Sequence, residues 1–177
     1  MKSRDLALVA ILLAIGTVLY AFVPNFGAVT PDLLVAFVVL AILLVRPKPL
    51  EGFGIGIVSG LLSMFFSKSS IAWLNIPAHA IGGFVCALAT YRLGELLTGK
   101  FSWRPVVGTV VHVLVSGGIF ITGLLVAGIF PFQVYVTVAW VQVLLTMVVN
   151  TVINLILYLP AKALYDRYSA PRVLAKS

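Results

Sequence analysis

Residues 32–49 read DLLVAFVVLAILLVRPKP, and this stretch decides the fold. An apolar segment runs from about Asp32 to Val45 and stops at Arg46-Pro47-Lys48-Pro49, and a second begins at once with Leu50. A straight helix needs about 20 residues to cross the hydrocarbon core, and these two segments have only roughly 14 to 17. Two arrangements fit such lengths: a pair of tilted crossings shielded by neighbours, or a re-entrant pair. The charges choose the crossings. Cytoplasmic loops collect Lys and Arg, and Arg46 and Lys48 sit between the segments.

Working outward, the same sorting holds along the chain. Of its 12 Lys and Arg residues, all but Lys68 fall in alternate gaps between apolar segments. The inside set is Lys2, Arg4, Arg46, Lys48, Arg92, Lys100, Arg104, Lys162, Arg167, Arg172 and Lys176. Apolar segments cover about residues 6–23, 32–45, 50–66, 76–97, 105–130 and 134–164. The pattern predicts an all-α membrane protein, a single integral domain over 1–177, with six transmembrane helices and both termini cytoplasmic. Tyr20, Phe22, Phe26, Trp73, Phe130, Phe132, Tyr135 and Trp140 then mark outer ends, as interfacial aromatic belts do.

Composition agrees. The chain is 62% hydrophobic and only 10% charged, whereas soluble domains are nearer half apolar and a quarter charged. A 177-residue chain has too little interior to hide so much apolar surface from water. The net charge of +7 is the sum of juxtamembrane clusters, which suit anionic lipid headgroups rather than nucleic acid. Cys86 is the single cysteine, so no intrachain disulfide and no cysteine cluster for zinc is expected. Lys2 and Arg4 before an apolar run imitate a signal peptide, but no small-x-small cleavage site follows, and a retained first helix is expected.

Gly94-Glu95-Leu96-Leu97-Thr98-Gly99-Lys100 spells most of a phosphate-binding loop. Phe101 stands where magnesium ligation needs Ser or Thr, and the stretch follows a membrane helix rather than a strand, so nucleotide binding is not expected. No catalytic set emerges: no HExxH, no Ser–His pair at a shared depth, no carboxylate pair within the membrane. Asp32, His79 and His112 are the only intramembrane acid and base candidates, and none is expected to be deep with a partner.

Several positions carry both a functional and a packing reading. Ala10 and Ala14, with Ala7 and Gly16 nearby, put small residues along one face of the first helix, for internal packing or for docking a separate membrane subunit. Gly52, Gly56 and Gly60, beside Ser59 and Ser63, have the same spacing and fit packing within the chain, with a partner interface as the alternative. Gln142, Thr146, Asn150 and Asn154 form a polar line that should face inward. Gln142 is the better ligand contact, and the two asparagines also suit helix–helix hydrogen bonds. Asn75 and His79 lie four apart near the outer surface, and Asp32 suits both a helix N-cap and a counter-charge for a ligand ammonium. Phe26, Trp73 and Trp140 are candidates for an aromatic pocket wall or for belt residues.

Taken together, these features resemble the substrate-binding S-components of energy-coupling factor (ECF) transporters. The first helix of that family carries an Ala-x-x-x-Ala signature, matched by Ala10 and Ala14. The nearest likeness is to TrpP-like tryptophan transporters, through that signature, Pro31-Asp32, Gly56-Ile57-Val58-Ser59-Gly60, Asn75 and Asn150-Thr151. Where that family has an Asp-Lys pair after the asparagine of segment four, this chain has Ala78-His79, which bears on the substrate. The resemblance implies a six-helix bundle in a prokaryotic cell membrane that captures a small aromatic nutrient, tryptophan first, from the outer face. Its partners would be an ECF transmembrane subunit docked on Ala10 and Ala14 and two ATPase subunits that use ATP. This chain itself would need no cofactor. The expected substrate contacts are Phe26, Asp32, Trp73, Asn75, His79, Trp140, Gln142, Thr146 and Asn150, with residues 24–31 as a lid. Other readings are an S-component for a thiamine-related compound, an MreD-like structural protein, and a standalone secondary transporter.

Overall fold

The computed structural model describes residues 1–22, 32–92, 97–98 and 101–169. Phe26, the expected lid at 24–31, most of the Gly94–Lys100 stretch, Arg172 and Lys176 lie outside the described residues. The elements are α1 (Ser3–Phe22), α2 (Leu34–Val45), α3 (Pro49–Phe66), a 3₁₀ turn (Ala72–Leu74), α4 (Asn75–Arg92) and α5 (Arg104–Val126). The last helix, α6, is continuous from Phe132–Val134 through a π-helical turn at Tyr135–Ala139 into Trp140–Ser169. Helix α4 ends at Arg92, short of the apolar pattern, and Leu97–Thr98 (β1) pairs antiparallel with Phe101–Ser102 (β2).

Five of these helices are long and apolar enough to cross a membrane, and α2 is the exception. Its 12 residues rise about 18 Å, short of the roughly 30 Å hydrocarbon core. Its environment explains the length. A helix that is apolar all round is a buried one, and every residue from Leu34 to Leu44 is buried, with α1, α5 and α6 packed around it. So α2 is the pillar of the core and meets neighbouring side chains instead of lipid.

Helices α3 and α4 cross closely because glycines remove the side chains that would separate them. A Cβ on Gly60 would lie 2.6 Å from the Asn75 carbonyl oxygen, and one on Gly83 would lie 2.5 Å from that of Gly52. The glycine stripe of α3 is therefore used for packing within the chain. On α1, Val9, Leu12, Leu13 and Gly16 face the core, while Ala10 and Ala14 are exposed.

The helices alternate in direction. At one end the Met1 ammonium pairs with Glu51, Arg4 Nη1 donates to the Tyr168 carbonyl at 2.7 Å, and the Tyr165 hydroxyl donates to Asp5 Oδ1 at 2.9 Å. The first and last described helices thus share an end with the 46–48 turn. The described Lys and Arg residues gather there, and Lys68 follows the opposite end of α3.

Candidate functional site

At that opposite end the helices enclose a cavity of about 390 Å³. The end of α1 supplies Tyr20, the start of α2 supplies Asp32 and Val35, and α4 supplies Asn75 and His79. Helices α5 and α6 close it with Val113, Phe120, Ile121, Gln142, Val143 and Thr146.

Asp32 is the centre of the polar wall. Its Oδ1 accepts the Leu34 N–H at 3.0 Å, and its carbonyl accepts the Val35 N–H at 3.3 Å, so it caps α2. Its Oδ2 accepts the Ser63 hydroxyl at 3.1 Å and lies 3.4 Å from His79 Nε2. The other ring nitrogen, Nδ1, is 3.2 Å from Ser59 Oγ, which is 3.0 Å from the Gly56 carbonyl. Ser59 has one hydroxyl hydrogen. Given to Gly56, it leaves Ser59 Oγ to accept from His79 Nδ1–H; given to His79, it bonds the bare Nδ1, and Nε2 then carries the ring hydrogen toward the carboxylate.

This network corrects two expectations. A Ser–His pair does share a depth, and His79 has an acidic partner. The pairing is invisible in the sequence because it depends on the α3–α4 crossing, where a Cβ on Gly56 would lie 2.3 Å from the His79 carbonyl oxygen. The Ser59–His79–Asp32 order is not a nucleophilic triad. Ser59 is fully buried and lies behind the cavity-lining side chains.

On the cavity lining, the Ser116 hydroxyl donates to the His112 carbonyl at 2.8 Å, and behind it the His112 ring meets that of His79 edge-on at 5.9 Å. Asn150 is fully buried one turn below Thr146 and donates to the carbonyls of Asp32 at 3.0 Å and Thr146 at 2.9 Å. Asn154 donates to Thr109 Oγ1 at 3.0 Å, which ties α6 to α5.

Of the residues expected to touch a ligand, Asp32, Asn75, His79, Gln142 and Thr146 come together around the cavity. Asn150 supports that wall from behind. Trp73 is 60% exposed on the 3₁₀ turn, outside the cavity. Trp140 packs edge-on against Tyr135 with centroids 6.1 Å apart and does not line it. The aromatic lining comes instead from Tyr20, Phe66, Phe120 and Phe130. Sequence reading also missed Ser67, Lys68, Ser69, Ser70 and Ser116. Lys68 had carried a signal, as the one basic residue out of place; Phe120 had carried none. Among the described residues no three His, Cys, Asp or Glu side chains cluster to hold a metal.

No family model and no solved structure matches the chain. Over 129 residues it is 29% identical to the probable tryptophan transport protein of Bacillus subtilis (strain 168), spanning 70% of this chain and 74% of that protein. With its long apolar helices and this relative, the chain is a multi-pass membrane protein similar to a transport protein.

Proposed function

We propose that the chain is the substrate-capture subunit of an ECF-type importer, taking tryptophan from the extracellular side. The observation that carries this reading is the cavity. Its roughly 390 Å³ falls in the range of about 300–1,000 Å³ typical of small-molecule sites. Its lining pairs an apolar wall with a polar one, which suits an indole ring bearing a charged headgroup. Phe120, Ile121, Phe130 and Val143 would hold the ring, and Asp32 would face the ammonium. The basic end of the bundle belongs in the cytoplasm by the positive-inside rule, which turns the cavity outward. In that six-span topology α2 crosses within a sleeve of protein.

Transport would be energised elsewhere. Gly94–Lys100 lacks the residue that would ligate magnesium, and ATP would be used by two partner ATPase subunits. The exposed small residues Ala10 and Ala14 fit the docking of a transmembrane subunit, since they allow close backbone approach between membrane helices.

Mass spectrometry of the small molecule that copurifies, with a thermal shift on adding tryptophan, tests the proposal. A ligand at 100 times its Kd should stabilise the protein by about 2.7 kcal/mol. Another vitamin in the cavity would keep the class and replace the substrate. No stabilisation by any such solute would favour a structural protein.

A further inference from the structure

We infer that Gln142 accepts the ring N–H of the ligand, so that the cavity selects an indole over other aromatic side chains. The inference rests on reading the cavity as a site for an aromatic amino acid, and it names the residue that reads the ring.

An indole nitrogen donates one hydrogen bond and accepts none. Enclosed in a partly apolar cavity without an acceptor, it forfeits the bond it made to water. A slot lined by Phe120 and Ile121 would hold a phenyl, a thiophene or an indole alike. Preference for the indole therefore needs an acceptor beside that slot.

Gln142 carries such an oxygen. It lines the cavity half-buried on α6, and among the described residues nothing bonds its amide. Its Oε1 is open to a donor. Val143 follows it in the chain and belongs to the apolar wall, packed against α5 where a Cβ on Gly117 would lie 2.9 Å from Val143 Cγ1.

Depth separates Gln142 from the other polar residues of this wall. The Asn150 amide nitrogen donates to the carbonyls of both Asp32 and Thr146, at 3.0 and 2.9 Å. Thr146 thus stands beside Asp32, at the level of the headgroup. Gln142 lies one turn nearer the start of α6, about 6 Å along the helix. In tryptophan five bonds separate the ammonium nitrogen from the ring nitrogen, a span of roughly 5–6 Å. Ser116 faces α4 instead: a Cβ on Gly82 would meet its Cβ at 2.9 Å, and its hydroxyl donates to the His112 carbonyl. Tyr20, Asn75 and the Ser67–Ser70 turn come from α1, α4 and the end of α3, not from the α5–α6 wall that carries Phe120, Ile121 and Val143.

The test is calorimetric titration of the full chain in nanodiscs with L-tryptophan and with benzothienyl-L-alanine, whose sulfur replaces the ring N–H while the headgroup is kept. The wild type should prefer tryptophan roughly tenfold, as for one hydrogen bond. In Gln142→Leu tryptophan should fall to the affinity of benzothienylalanine, and the preference should vanish. Equal weakening of both ligands would put Gln142 on the headgroup and overturn the assignment. A preference that survives Gln142→Leu, or a wild type with none, also overturns it and leaves the cavity reading standing. A wild-type chain that binds neither ligand overturns both.

Discussion

The α3–α4 crossing lends itself to a controlled comparison between two glycines one half-turn apart. Gly54 and Gly56 both lie inside α3, so alanine at either should favour the helix by about 0.5–1 kcal/mol. Their surroundings differ. A Cβ on Gly54 meets nothing within 4 Å. One on Gly56 would sit 2.3 Å from the His79 carbonyl oxygen and 2.8 Å from Ala80 Cα, both backbone atoms that cannot rotate away. Ordinary contact begins near 3.4 Å, so α4 must retreat by about 1 Å. Because the helix-propensity gain is common to both variants, their difference isolates the packing strain, expected at about 1–3 kcal/mol. The same displacement acts on the site. His79 sits 3.2 Å from Ser59 and 3.4 Å from Asp32, and another ångström takes both beyond hydrogen-bonding range. Thermal unfolding in detergent should therefore show Gly54→Ala melting at or above wild type and Gly56→Ala several degrees below it. A parallel titration should show weakened tryptophan binding for Gly56→Ala alone. Equal melting temperatures, or full affinity in Gly56→Ala, would refute the reasoning.

Three further outcomes are expected. Asp32→Asn keeps a side-chain oxygen for the Leu34 N–H but puts an amide NH2 where Oδ2 accepts the Ser63 hydroxyl, so its melting temperature should fall by a few degrees while tryptophan affinity drops by roughly tenfold or more; unchanged affinity would remove Asp32 from ammonium recognition. Ala14→Trp adds bulk to an exposed face of α1 and should abolish uptake in cells while leaving ligand binding by the purified chain intact; equal loss of binding would dismiss the docking face. In a Cys86→Ala background, cysteines at Lys48 and Lys68 should react with an impermeant reagent from opposite sides of the membrane. Labelling of both from one side would reverse the assignment of the cavity to the exterior.

The polar part of the cavity wall is legible in the sequence because polar residues inside apolar helices announce themselves. Asp32, Asn75, His79, Gln142 and Thr146 all interrupt hydrophobic runs and all reach the cavity. The aromatic lining of the cavity is not legible there, for a symmetrical reason. Phe120 is one apolar residue among many on α5, and nothing local distinguishes a side chain facing a cavity from one facing lipid. Trp73 and Trp140 looked more conspicuous, yet conspicuous aromatics near helix ends also serve the interface, and Trp73 is exposed. Of the two readings open for Asn150, the helix–helix hydrogen bond is the one the structure describes, with donation to the carbonyls of Asp32 and Thr146, a role that depends on which helix end it meets.

The sequence by itself determined that this chain is a bundle of apolar helices for lipid, and which helix ends go together. Those features depend on summed hydrophobicity and on charge sorting, and both are additive along the chain. Only the tertiary structure decided that α2 stands wholly enclosed, that α3 and α4 meet backbone to backbone, and that Ser59, His79 and Asp32 form one network. Those are matters of register between helices distant in sequence. Register is set by close packing at a few glycines, where one missing Cβ moves a neighbouring helix by about an ångström, a relation that no window along a single segment contains.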